Sequence, residues 1–208
     1  MNNLIKNVAI WLVIALVLMT VFNQFSARQA PQKAMDYSQF IEEVKQGHVA
    51  KVTIEGRDIA CLVTDGADRA LVDALRKAVC AEGGKLTVIA PKIAGVRGDD
   101  DGPIAAGAAL SGAPSALFDA VVLAPGPGGG AALAREAAAV DFVRSAFGHL
   151  KVIGFTEHAR PLLDAAGLAA KSDAGCIGLG GKGAVAAFVE AAKHGRVWAR
   201  EPSVRTSP

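Results

Sequence analysis

The sequence predicts an α/β fold: a doubly wound parallel sheet, preceded by a single transmembrane helix and a short α/β segment. Three observations point there. Beyond residue 58, short apolar runs alternate with stretches of helical periodicity. Glycine or proline closes most of these segments. Residues 4–22 form an apolar run long enough to cross a bilayer.

That run is interrupted only by Lys6, Asn7 and Thr20. As a helix it would span about 28 Å, close to the hydrocarbon thickness of a membrane. Lys6 could snorkel to the headgroups. A cleaved signal peptide is the competing reading. It needs a small-x-small site, and both Phe25-Ser26-Ala27 and Arg28-Gln29-Ala30 start with a large residue. Further on, Asp36 or Ser38 can cap a short helix with Phe40, Ile41 and Val44 on one face, ended by Gly47. Val49, Val52 and Ile54 then suggest a strand that stops at Gly56.

The main domain opens with a fully buried strand at 58–63 and a turn at Thr64-Asp65-Gly66. A helix is expected over 67–82, with Leu71, Val72, Leu75, Ala78 and Val79 inward and Gly83-Gly84 at its end. The next strand, 86–90, stops at Pro91, completing a right-handed βαβ unit. Asp99-Asp100-Asp101-Gly102 reads as a solvated turn, because it lacks the alternating ligand spacing of a calcium loop. Strand 118–124 runs into Pro125-Gly126-Pro127-Gly128-Gly129-Gly130. Such a loop can cradle an anion or simply turn the chain; its prolines, which lack donors, favour the turn.

A helix over 131–147 follows, with Leu133, Ala137, Val140, Val143, Ala146 and Phe147 inward. Then come a strand at 150–155, a helix at 157–166, a short strand at 174–179 and a helix at 182–194 closed by Gly195. The tail carries Trp198 and turns polar. The expected division is an anchor at 1–24, a short segment at 25–57, the α/β domain at 58–198 and a tail at 199–208.

Composition narrows the function. Residues 1–57 carry six Lys/Arg against four Asp/Glu, and residues 58–208 carry sixteen of each. The main domain has no basic surplus, which excludes nucleic acid as a partner. Cys61, Cys80 and Cys176 are widely spaced and odd in number, so neither a disulfide framework nor a zinc site is expected. Cys61 and Cys176 lie in apolar, strand-like contexts and read as buried inert thiols. Neither GxxxxGK[ST] nor HExxH occurs, so the chain carries no ATPase or zinc-protease centre.

Two resemblances sharpen the picture. The apolar run, QAPQKAMDYSQFIEEV and KVTIEGR together resemble the amino terminus of FtsH, the membrane-bound AAA protease of bacteria. This implies a single-pass inner-membrane protein with a cytoplasmic amino terminus and a periplasmic main domain. The pieces VTDGADRALVDALRKAV, LSGAPSALFDAVVLAPG, DFVRSAFGHLKVIGFTEHARPLL and RVWAREPSVR resemble the carboxy-terminal domain of large-subunit catalases. This implies a flavodoxin-like fold related to PfpI-type and class I glutamine amidotransferase-like proteins. The junction falls near Gly56-Arg57.

In PfpI-like enzymes a cysteine sits on the sharp turn after a central strand. Here that turn reads Ile153-Gly154-Phe155-Thr156-Glu157-His158, with Thr156 at the thiol position. The partner glutamate of that family corresponds approximately to Leu71. Thr156, Glu157 and His158 are therefore candidates for a vestigial elbow, with no catalytic residue assigned. The favoured reading makes Thr156 a helix cap and His158 a surface residue; an unusual threonine nucleophile is the alternative. Cys176 is a further candidate nucleophile without an evident base. The single tyrosine, Tyr37, lies in the FtsH-like part, so no haem is expected, and no other cofactor or metal.

The expected function is a membrane-anchored, non-catalytic accessory module, stress-related by association, that meets the FtsH protease complex. Alternatives are a PfpI-like hydrolase or glyoxalase, a holdase for unfolded protein, and a recombination remnant without a selected role. A homo-oligomer is expected from both resemblances.

Overall fold

The computed structural model describes Leu12, Met19 and residues 56–168, 171 and 173–205. The chain divides into two compact units, Met1–Thr53 and Ile54–Pro208. The expected anchor, apart from Leu12 and Met19, and the expected helix and strand of 34–55 lie outside the described residues. Among the described residues, no helix is long and apolar enough to cross a membrane.

The second unit starts with β1 (Asp58–Val63), α1 (Arg69–Ala81) and β2 (Lys85–Ala90). A hairpin of β3 (Val96–Arg97) and β4 (Pro103–Ile104) follows, then β5 (Ala108–Ala109) and β6 (Ala120–Ala124). Next come α2 (Gly129–Leu133), α3 (Ala137–Gly148), β7 (Val152–Phe155), α4 (Arg160–Ala165) and β8 (Cys176–Gly178). The chain closes with α5 (Ala184–His194) and α6 (Glu201–Arg205). Six strands form one sheet in the order β5-β2-β1-β6-β7-β8, and every pairing in it is parallel. This is the expected parallel, flavodoxin-like α/β fold.

The continuous apolar run of β1 has a direct cause. A central parallel strand is covered on both faces, so both of its side-chain sets must be apolar. Ala60 and Leu62 join Val121, Leu123 and Ile153 under α2, α3 and α4. Ile59, Cys61 and Val63 join Val122 and Val152 under α1 and α5. Asp68 starts α1 by accepting the Leu71 N–H at 2.8 Å. Gly83, at φ +75°, ends it, and the Gly84 N–H returns to the Val79 carbonyl at 2.9 Å.

The expected single helix over 131–147 is two helices. Glu136 breaks it, with an extended backbone at φ −96°, ψ 114°. Leu133 and Phe142 are both buried, yet nine residues along one α-helix would set them about 180° apart. The break re-phases the chain so that both face the sheet. Ala137, expected inward, is exposed, and Ala139 and Phe142 take the inward places.

The expected polar tail is also different. It folds across the start of β7 and β8 and buries Arg200 to 2% exposure. Arg200 grips both oxygens of Asp173, Nε to Oδ2 at 2.6 Å and Nη2 to Oδ1 at 2.7 Å. Its Nη1 donates to the Lys151 carbonyl at 2.7 Å, and its guanidinium lies 4.1 Å from the Phe147 ring centre. Lys151 is buried beside it and donates to the carbonyls of Ser115 and Phe118.

Burial, and then Arg196, push the Lys151 ammonium down to about 8, while Asp119 pulls the other way. Between that value and the ordinary 10.5, the native chain sheds a proton that the unfolded chain keeps. Unfolding free energy from this group therefore rises with pH across that window. Lys151→Met is expected to flatten the rise, read as a smaller gain in melting temperature between about pH 7.5 and about pH 9.5 than the native chain shows. An unchanged gain would rule out Lys151 as its source.

Candidate functional site

The chain leaves β1 for β2 on one side and returns to β6 on the other. Such a reversal opens a crevice beyond the carboxyl ends of the strands, where open α/β sheets take their ligands. Here the crevice is a cavity of about 380 Å³. Thr64 and Asp65 reach it from β1, Lys92 from beyond β2, Val96 from the hairpin, and Leu133 and Glu136 from the α2 end.

The glycine loop after β6 forms one wall. The Gly126 N–H donates to Thr64 Oγ1 at 3.0 Å, and the Gly129 N–H to the Gly126 carbonyl at 2.9 Å. The first of these donors is spent on the turn after β1 and the second inside the loop. Gly128 sits at φ +76°, and a Cβ on Gly129 would fall 1.9 Å from Thr64 Oγ1. The loop thus needs glycine for turn and close approach.

The opposite wall is tied down by carboxylates. Asp65 Oδ1 accepts the Arg97 N–H at 2.9 Å. Asp99 Oδ1 accepts the Arg69 N–H at 3.2 Å, and Asp100 pairs with Arg69 at 3.1 Å. Asp99–Asp101 is an exposed turn, with Asp101 at φ +60°. Among the described residues, no three His, Cys, Asp or Glu side chains come together as a metal site would need.

The three elbow candidates stand apart from this cavity's lining. Thr156 follows β7 with a relaxed extended backbone, φ −89° and ψ 165°. It makes no side-chain cap, which corrects that expectation: the Ala159 N–H bonds to the Thr156 carbonyl instead, and its own Oγ1 is enclosed without a partner. Glu157 is exposed and bound to Arg160 Nε at 2.6 Å. His158 is exposed, as expected, and its carbonyl packs against Gly130. Leu71, at the family's approximate glutamate position, is half-buried and packs under the sheet.

The cysteines divide. Cys61 is fully buried, and desolvation pushes its thiol up to about 12, so it is the inert thiol expected. Cys176 is half-buried: it packs against the apolar core from its strand, as expected, but a charged pair also reaches it. Its Sγ lies 3.8 Å from Arg200 Nη2, and its thiol also bonds the Asp173 carboxylate. It pairs with Ile153, so it lies at the opposite end of the sheet from Thr156. Sequence reasoning missed this cluster because its members are far apart in the chain and Arg200 sits in a stretch that reads as solvated.

Comparison with known proteins agrees with the fold. The FtsH Extracellular family matches residues 8–102. Catalase C of Rhizobium meliloti (strain 1021) is 42% identical over 191 residues, covering 92% of this chain and 27% of that protein. The FtsH zinc metalloprotease of Magnetococcus marinus is 46% identical over 66 residues, covering 32% of this chain and 10% of its own length. A DJ-1 superfamily protein of Salmonella typhimurium superposes with a TM-score of 0.57 at 25% identity, covering 72% of this chain and 94% of that one. The chain joins an FtsH-like amino terminus to a catalase-type, DJ-1/PfpI-like domain.

This chimera spans about a quarter of the catalase and a tenth of the protease. The two matches also overlap. A match of 191 residues within 208 takes in most of the first 57, and the FtsH Extracellular match runs on to residue 102. Neither match therefore has its edge at Gly56-Arg57.

Proposed function

We infer that this chain is a membrane-tethered, non-catalytic interaction module. It holds a catalase-type, DJ-1/PfpI-like domain in the periplasm and associates with an FtsH-type protease through the shared amino-terminal segment. The observation that carries this reading is the state of Thr156. An activated hydroxyl must be presented to substrate and hydrogen-bonded to a base. Thr156 Oγ1 is enclosed and unpartnered on a relaxed backbone. The amino-terminal match to the FtsH Extracellular family supports the tether and the partner.

The test is crosslinking in intact membranes, followed by capture of the tagged full chain. An FtsH-type protease is expected among the crosslinked partners, and Thr156→Val is expected to capture it equally. Removing an enclosed, unpaired hydroxyl for a methyl of similar shape should leave the fold as stable or slightly more so. Capture without any FtsH-type protease would overturn the association. Turnover of a small carbonyl compound by the native chain, abolished in Thr156→Val, would restore the enzyme reading.

A further inference from the structure

Of the charged side chains that line the crevice, Asp65 is partly engaged, its Oδ1 accepting the Arg97 N–H. Lys92 and Glu136 differ. Both are exposed and line the same 380 Å³ cavity, and neither side chain forms an ion pair or hydrogen bond within the described structure. Two unpaired opposite charges therefore line one open cavity without neutralising each other.

The remainder of the lining says what could neutralise them. Val96 and Leu133 supply apolar walls, and the volume lies at the small end of ligand sites. The Gly126 and Gly129 donors are taken by Thr64 and by the Gly126 carbonyl, and Lys92 is the cation of this lining for an anionic group to meet. A more open depression, lined by Asp99, Asp101 and Arg97, adjoins the cavity through the shared Asp65 and Pro127. Its three carboxylates, Asp65 included, outnumber the one guanidinium, so the neighbouring potential is net negative and favours an ammonium on that side.

We propose that this cavity binds a small zwitterion, an amino acid or dipeptide whose free carboxylate meets Lys92 and whose free ammonium meets Glu136 and Asp65. The site lies at the sheet's reversal point, where open α/β sheets take their ligands. This goes beyond the interaction-module reading and does not rest on it.

The test uses the full chain in detergent micelles and isothermal titration with three peptides. Alanyl-alanine carries both charges, N-acetyl-alanyl-alanine only the carboxylate, and alanyl-alanine amide only the ammonium. Saturable binding of alanyl-alanine is expected, with each blocked peptide weaker by about tenfold or more. Lys92→Met is expected to bind alanyl-alanine no better than its amide. Glu136→Gln is expected to narrow the gap between alanyl-alanine and its acetylated form. Both side chains are exposed, so the variants should keep the native melting temperature, which is checked alongside. No saturable binding of alanyl-alanine, or equal binding of the blocked peptides, would overturn the proposal.

Discussion

Replacing Arg200 by methionine is expected to destabilise the α/β domain by about 3 kcal/mol, because removing one partner strands the other half of a buried pair. Asp173 would lose both guanidinium bonds while remaining only 30% exposed, and the Lys151 carbonyl would lose its donor. The figure is set at the lower end for such pairs because Asp173 keeps some water. A pH dependence accompanies it. The Arg200 hydrogen bond holds the Asp173 carboxyl below its ordinary value. The native chain therefore binds fewer protons than the unfolded chain as pH falls towards that range. The stabilisation is present above the ordinary carboxylate value and is lost as pH drops through the lowered one. Urea unfolding of the native chain and Arg200→Met at neutral and acid pH measures both effects. The gap between the two should narrow on acidification. A gap that is absent at neutral pH would show that the tail does not hold the sheet.

Gly126→Ala is expected to cost about 3 kcal/mol or more, at the upper end of overpacking penalties. The added Cβ would fall 2.1 Å from the Asp65 carbonyl oxygen and 2.4 Å from the Gly66 carbonyl carbon. Both are backbone atoms of the β1–α1 turn, so no rotamer change relieves the contact. The loop must move, and the Gly126–Thr64 bond that closes the cavity wall moves with it. Gly148→Ala is the control. Nothing lies within 4 Å of a Cβ there, and alanine in a helical turn is expected to be neutral or favourable by up to about 1 kcal/mol. Thermal unfolding compares the two. Equal melting temperatures would mean that the crevice wall is looser than its geometry states.

Much of the scaffold was legible from residue order. The run of residues 58–63 reads as a strand buried on both faces, and β1 is that strand, with Ile59 to Val63 at 2% exposure or less. Gly83 and Gly195 mark helix ends where capping chemistry places them. The hairpin of β3 and β4 was not legible, because two-residue strands carry no measurable alternation. The break at Glu136 was also hidden. It answers to the position of the sheet beneath Leu133 and Phe142, and local periodicity across residues 131–147 supports one helix equally well.

The candidate site divides in the same way. Thr156, Glu157 and His158 could be found because they are adjacent in sequence and follow a recognisable strand. That Thr156 is enclosed rather than capping or presented depends on what packs around its hydroxyl. Lys92 and Glu136 lie 44 positions apart by their numbering and have no motif between them. Only the reversal of the chain between β2 and β6 brings them to one cavity.

By itself, the sequence determined the class of fold, the order of its longer strands and helices and the two kinds of protein it resembles. These follow from apolar periodicity and from short motifs, which are properties of neighbouring residues. The tertiary structure alone decided that the tail is a buried clamp, that Cys176 sits among charges and that the elbow hydroxyl is shut away. It also decided which unpaired charges share the crevice. Burial and electrostatic partnership are set by distance in space, and in a parallel sheet each crossover brings together residues far apart in the chain.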